Sequence, residues 1–361
     1  MKGFAEKICF DDLLDIRAGD ENLRNGSIPS WIKKLSTRKE WEEKKIALQD
    51  LFLQGFGKTP AVTCDLDPKY IDEVECDGYI KRKVSYAIEP DERLAAYLLI
   101  PKGITKKVPG ILCIHPTTPF GKEQAIGNDL SEKGQDRAYA LHLVRRGYVT
   151  LAWDLMSAGE RTFEGLQSFD TAPFYRKHPE WSATGKDFWD LQRALDFLET
   201  VDEVDASRIG SIGHSQGGGI TIYAMALEER IKVGVSSCGL WPSRLSKNPF
   251  NNARESWWVG RPLLRPYCLT GKDIPVDAHE LLGLAAPRAI LFLTALNDCG
   301  YEEEEEIAAV GKAFQNLAEN VEKVFSLYGA QEKFKPLFHR KGHSFLEEER
   351  KIAYSFFDRY L

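Results

Sequence analysis

A chain of 361 residues with 43% hydrophobic content is long enough for one large α/β domain with additions, or for two smaller ones. Its formal net charge of -6, with basic residues scattered and not striped, argues against nucleic acid or an anionic membrane surface as partner. The seven cysteines are odd in number and contain no C-x-x-C pair, which excludes a disulfide scaffold or zinc site as the organising device.

The N-terminus, Met1-Lys2-Gly3-Phe4-Ala5-Glu6, lacks the apolar core of a secretory signal, and no apolar stretch is long enough to cross a bilayer. A cytoplasmic location is therefore expected and, with no zinc-type cysteine pairing, no resident metal. Composition fixes no oligomeric state, and a homo-oligomer is compatible with it.

Residues 1–76 are expected to form an N-terminal helical extension. Within it, Thr37 and Glu40 make a capping box, Trp41, Leu48, Leu51 and Phe52 recur at helical spacing, and Gly55 is placed to close the helix. From residue 77 to 361 the patterns are those of one α/β domain. The alternation over 78–88, a polar turn at 89–93 and the run 94–101 predict an antiparallel hairpin. A continuous apolar strand over 110–114 follows, then a helix over 136–146 closed by Gly147, and a strand over 148–153.

Phe188, Leu191, Leu195 and Leu198 mark one face of a helix, and the run 208–212 reads as the next strand. Beyond it come strands at 231–237 and 288–294, a helix carrying Ile307, Val310, Phe314 and Leu317, a short strand at 324–327 and a terminal helix. The series predicts a mostly parallel, twisted sheet with helices on both faces.

Two stretches interrupt the alternation, 160–181 and 240–281, both rich in aromatic residues, Pro and Gly. They leave the sheet near the C-terminal strand ends, where ligands bind in such folds, so an insertion over 240–285 is expected to cap the site or wall its pocket. Trp241, Trp257, Trp258 and Tyr267 are the rings there that can stack on a sugar or line an acyl slot.

Chemistry enters at Gly213-His214-Ser215-Gln216-Gly217, a G-x-S-x-G directly after a strand and before a helix. A serine on so sharp a turn projects its hydroxyl out of the sheet, which makes Ser215 the candidate nucleophile. A serine hydroxyl is weak until a histidine takes its proton and a carboxylate steadies that histidine. Asp298 follows the strand 288–294, and His343 lies in Lys341-Gly342-His343-Ser344-Phe345 before the final helix.

The order Ser, Asp, His is that of α/β-hydrolases and not of chymotrypsin-like or subtilisin-like enzymes. Asp154, ending the strand 148–153, is the rival acid and His339 the rival base; Ser344 and Glu347 form a plausible capping box beside His343. The oxyanion is expected to meet the Gln216 amide and a second amide from His115-Pro116-Thr117-Thr118-Pro119. The prolines have no N–H, which leaves Thr117, the favoured donor, or Thr118. His115 is expected to shape this loop.

With these residues the chain resembles the α/β-hydrolase superfamily, and within it the dienelactone-hydrolase-like and acetyl xylan esterase-like serine hydrolases. The resemblance rests on Cys113 to Thr118 with Gly121-Lys122-Glu123, on Arg146 to Val149 leading to Trp153-Asp154 and Gly159-Glu160-Arg161, on Arg208-Ile209-Gly210 with the elbow, and on Gly342-His343. Dienelactone hydrolases proper are less similar, since they carry cysteine at the nucleophile position. The resemblance implies a Ser215-His343-Asp298 triad, an acyl-enzyme, no cofactor, a small carboxylic ester such as a short-acyl or acetylated sugar as substrate, and Glu160 with Arg161 as a bracing ion pair. Two other readings share the scaffold: a peptidase of the prolyl-oligopeptidase kind, for which the N-terminal region is too short to form a propeller and shows no blade repeat, and a non-catalytic ligand-binding protein, which usually lacks a triad member.

Overall fold

The computed structural model describes residues 31–243, 258–270, 274–298 and 301–361. Helix α1 (Arg38–Gln54) begins on the expected capping box: Thr37 Oγ1 accepts from Glu40 N while the Glu40 carboxylate accepts from Thr37 N. Strands β1 (Lys69–Glu75), β2 (Tyr79–Glu89) and β3 (Glu92–Pro101) form an antiparallel meander, of which β2 and β3 are the expected hairpin. After β4 (Val108–Ile114) come helix α2 (Tyr139–Val144) and β5 (Val149–Trp153). Helix α3 (Ala183–Glu199) leads into β6 (Val204–His214), helix α4 (Gln216–Leu227) and β7 (Ile231–Ser237). Helix α5 (Ala278–Leu284), β8 (Ala289–Ala295), helix α6 (Glu304–Leu327), β9 (Phe334–His339) and helix α7 (Glu347–Tyr360) complete the chain.

The nine strands form one sheet in the order β1-β2-β3-β5-β4-β6-β7-β8-β9, antiparallel as far as β5 and parallel from β5 onward. Because successive strand side chains point to opposite faces, each central strand feeds two cores. Leu112 and Ile114 of β4, with Ile290 and Phe292 of β8, pack on the face covered by α1, α3, α4, α5 and α6. Ile111 and Cys113, with Leu291 and Leu293, pack on the face covered by α2 and α7. From β4 to β8 the sheet is therefore buried on both sides, as the apolar runs of those strands require.

Three sequence expectations change. The helix expected over 136–146 breaks after Asp136: the Asp136 carbonyl turns to Arg350 Nη1, and Ala138 leaves the helical region before α2 begins. The strand expected at 324–327 is the last turn of α6, because Val310, Phe314, Leu317, Val321 and Val324 continue one buried helical stripe. The edge strand is β9 instead, reached through Gly329 at φ 64. The Ser344–Glu347 capping box does not form; Leu346 is the N-cap of α7, and Glu347 pairs with Lys351 at 2.7 Å.

A boundary at 76/77 falls between β1 and β2, which are hydrogen-bonded to each other. Trp41, Leu48 and Phe52 of α1 are buried in the main core alongside α4, α5 and α6. No helix among the described residues is long and apolar enough to cross a membrane.

Candidate active site at the strand ends

Ser215 stands between β6 and α4 with φ 56 and ψ -121, a conformation that costs on the order of 1–3 kcal/mol for a residue with a side chain. The strain is held by neighbours on both sides. Ser215 N donates to Ser237 O at 2.8 Å, and its carbonyl accepts from Gly219 N at 3.0 Å. The flanking glycines have a steric reason: a Cβ at Gly213 would lie 2.2 Å from the Gly217 carbonyl carbon, and one at Gly217 would lie 2.0 Å from Ile114 O. The elbow is thus wedged between β4 and α4, and only hydrogen fits at those two positions.

Asp298 and His343 meet as the chain order requires. His343 Nδ1–H donates to Asp298 Oδ2 at 2.7 Å, and the carboxylate is buried while the ring is open on one side. Two loops are pinned to make this contact, since Gly342, at φ 64, donates its N–H to Asn297 Oδ1 at 2.9 Å. Phe345 is buried and anchors the far side of the histidine loop. The His343 ring centroid lies 4.7 Å from that of His214, the residue immediately before Ser215, so the His343 ring stands beside the elbow.

The rivals have other duties. Asp154 is buried in an ion pair with Lys122 Nζ at 2.5 Å and accepts from the amides of Lys122 and Glu160. His339 is buried at the end of β9, with its Nδ1 accepting from Lys341 N, and burial depresses its basicity. His115 donates from Nδ1 to Pro116 O at 2.6 Å and accepts at Nε2 from Leu155 N at 2.9 Å, which ties the β4 loop to the β5 loop. Burial holds its pKa down, so it shapes the loop as a neutral ring.

Thr117 and Gln216, the residues whose amides are the expected oxyanion donors, touch each other: Thr117 Oγ1 donates to Gln216 Oε1 at 3.3 Å. Thr118 is buried, and its hydroxyl accepts from Phe120 N. A family model described as the Abhydrolase family matches residues 32–231, more than half of the chain. The chain belongs to the Abhydrolase family.

A second model, of fungal glucuronyl esterases, matches this abhydrolase over residues 144–329, again just over half of it. The protein "Carbohydrate esterase MZ0003", from an unknown prokaryotic organism, is 28% identical over 148 residues, 37% of this chain and 33% of that protein. The abhydrolase thus aligns with about a third of the length of this curated relative. Among solved structures, a glucuronoyl esterase from Solibacter usitatus matches at a TM-score of 0.69 and 20% identity, over 90% of this chain and 93% of the other. A putative acetyl xylan esterase from Bacteroides fragilis matches at a TM-score of 0.64 and 20% identity, over 88% and 80% of the two chains. At such identities the structural matches speak for the shared fold.

Of the aromatic candidates in the insertion of this abhydrolase, Trp257 lies outside the described residues. Trp241 stacks flat on Tyr301 with centroids 5.1 Å apart and packs edge-on against Phe314 of α6. Trp258 leans on Phe169 at 5.1 Å, and Tyr267 packs against the small cluster of Leu264, Cys268 and Ile274. Each described ring therefore has a packing partner, and those of Trp241 and Trp258 tie the insertion to the body. A groove of about 490 Å³ lined by Phe56, Trp181 and Trp189 opens at Leu227, the opposite end of α4 from Ser215.

Glu160 and Arg161 do not pair with each other, contrary to expectation. Glu160 bonds Lys83 at 2.6 Å and Lys122 at 3.3 Å, whereas Arg161 reaches Asp190 at 2.7 Å and Glu92 at 2.8 Å. The two residues stand in the 3-10 turn Gly159–Arg161, and each side chain goes to different partners, Arg161 also donating to the Asp154 carbonyl at 3.0 Å. Lys186 joins Asp190 and Glu89, and Asp187 accepts from Met156 N at 2.7 Å, its carboxyl pushed up by burial to about 7. This buried polar network rigidifies the β5 loop.

The feature that sequence reasoning passed over is His214. It is fully buried, bonded by Nδ1 to Ser237 Oγ at 3.0 Å and approached at Nε2 by Arg137 Nη2 at 3.3 Å. A guanidinium only donates, so Nε2 accepts and Nδ1 carries the proton. Burial first, then the neighbouring His343 and Arg137, hold its pKa far down and keep it neutral. Its ring fills the space between His343 and Phe345. In the sequence it was only the variable position of G-x-S-x-G, and nothing local distinguishes it.

Proposed function

We propose that the protein is a serine esterase that hydrolyses small carboxylic esters of sugars. The observation that carries this reading is the Asp298–His343 hydrogen bond delivered beside a strained, glycine-flanked serine at the end of β6. In the proposed reaction Ser215 Oγ attacks the ester carbonyl while His343 Nε2 takes the hydroxyl proton. Asp298, bonded to Nδ1–H, keeps the ring in the tautomer that leaves Nε2 free to do so. The Gln216 and Thr117 amides receive the oxyanion. His343 then returns the proton to the departing alcohol, water attacks the acyl-enzyme by the same route, and the acid leaves.

The sugar-ester class is supported by the glucuronyl esterase model and by the names of the matched carbohydrate esterase and acetyl xylan esterase. Methyl glucuronate, in which the sugar supplies the acid, and acetylated xylose, in which it supplies the alcohol, are the two informative substrates. Turnover of either by the wild-type protein, with Ser215→Ala lowering kcat by about 10⁴- to 10⁶-fold at unchanged circular dichroism, is the expected result. Ser215→Ala turnover close to wild type would remove the nucleophile assignment. Hydrolysis of aminoacyl anilides with neither sugar ester touched would favour a peptidase instead.

A further inference from the structure

Cys238 follows Ser237 at the C-terminal end of β7 and holds φ 47, an unusual value for a residue with a side chain. Its Sγ, a carboxylate oxygen of Asp298 and a ring nitrogen of His343 all lie within 4.8 Å of one another. Cys238 and Asp298 are buried, while the His343 side chain is 40% exposed and gives a solute a way in. One thiol, one imidazole and one carboxylate make a mixed donor set suited to Zn²⁺ and related soft divalent ions. With bonds of about 2.3 Å to sulfur and about 2.0–2.2 Å to nitrogen and oxygen, tetrahedral geometry needs these donors roughly 3.4–3.6 Å apart. With the donors at most 4.8 Å apart, the sulfur must close in by no more than roughly 1.4 Å, and the 2.7 Å His343–Asp298 contact must open by less than about an ångström.

We propose that Cys238, Asp298 and His343 form a site for a thiophilic divalent cation, and that its occupation reversibly switches off the hydrolase. The loss of activity rests on the triad reading; the binding of metal does not. On binding, the Cys238 thiol releases its proton to water, the His343 proton moves from Nδ1 to Nε2 so that the ring stays neutral, and the cation takes the thiolate, the Nδ1 lone pair and the carboxylate. The hydrogen bond that orients His343 is then gone, and Nε2, now protonated, has no lone pair with which to accept the Ser215 proton. Three protein donors leave a fourth position for water.

Two readouts on the purified chain separate the claims. Co²⁺ titration of the wild type should produce a thiolate-to-cobalt charge-transfer band that Cys238→Ala and Cys238→Ser both lack. Zn²⁺ should reduce ester turnover of the wild type at least tenfold, EDTA should restore it, and both variants should keep their basal turnover and resist Zn²⁺. A wild type without the cobalt band overturns the proposal, and so do variants as sensitive to Zn²⁺ as the wild type, or Zn²⁺ that activates. A cobalt band in a protein that hydrolyses no ester would retain the metal site and sink the esterase reading instead.

Discussion

At the scale of single residues, the candidate site divides into the proposed triad and the groups that hold it. Ser215, Asp298 and His343 could be singled out because each is marked by its neighbours in sequence: an elbow motif, a strand end, a glycine before a terminal helix. His214 was not, because its role depends on Arg137, Ser237 and Phe345, which converge only in the fold. The same holds for Lys122, whose buried pairing with Asp154 removes that carboxylate from contention. Removing the His214 ring leaves a void under His343, and a displacement of about an ångström at a general base costs roughly 100-fold in rate. His214→Ala is expected to lower kcat 10- to 100-fold with little change in KM; an unchanged kcat would show that the ring beneath His343 has no part in placing it.

At the scale of elements, the strands were legible where both faces are buried, because a short unbroken apolar run bounded by polar or turn residues fits a buried strand better than an amphipathic helix. The single-face elements misled. The stripe of α6 runs without a break from Ile307 to Val324, and only its continuation distinguishes its last turn from a short strand. Strand β1 is exposed along its whole length and so carries no apolar signal. Helix α1 reads in sequence as an appendage, yet Trp41 is fully buried and stacks on Trp31 at 5.9 Å. Trp41→Ala should therefore destabilise the protein by about 3–5 kcal/mol in denaturant unfolding. A loss below about 1 kcal/mol would mark α1 as a detachable extension.

The contact between α2 and α7 sets an acid limit on stability. His142 bonds the Tyr354 hydroxyl at 2.9 Å, and burial, aided by Arg350 and Arg145, holds its pKa down to about 4. An unfolded histidine titrates near about 6.5. Between those values the unfolded chain binds a proton that the folded one refuses, so this contribution is complete above about 6.5 and is lost as the pH falls toward about 4. A His142→Gln variant should show a shallower decline of Tm across that window than the wild type, and parallel curves would count against the assignment.

For the molecule as a whole, the architecture follows from one requirement: a mostly parallel sheet needs apolar cover on both faces, and its strands then end together on one side. That shared edge gathers residues from the ends of β6, β7, β8 and β9, so the proposed nucleophile, acid and base, distant in sequence, are brought to one edge. The insertion is packed down through Trp241 and Trp258, whose partners Tyr301, Phe314 and Phe169 are invisible to any reading of local sequence. The central claim, that Ser215 is an activated nucleophile, is tested most directly by a fluorophosphonate probe followed by peptide mapping of the adduct. The account predicts one adduct, on Ser215, whose formation slows by orders of magnitude in His343→Ala. An adduct at another residue, or ester turnover that persists when Ser215 stays unlabelled, would contradict it.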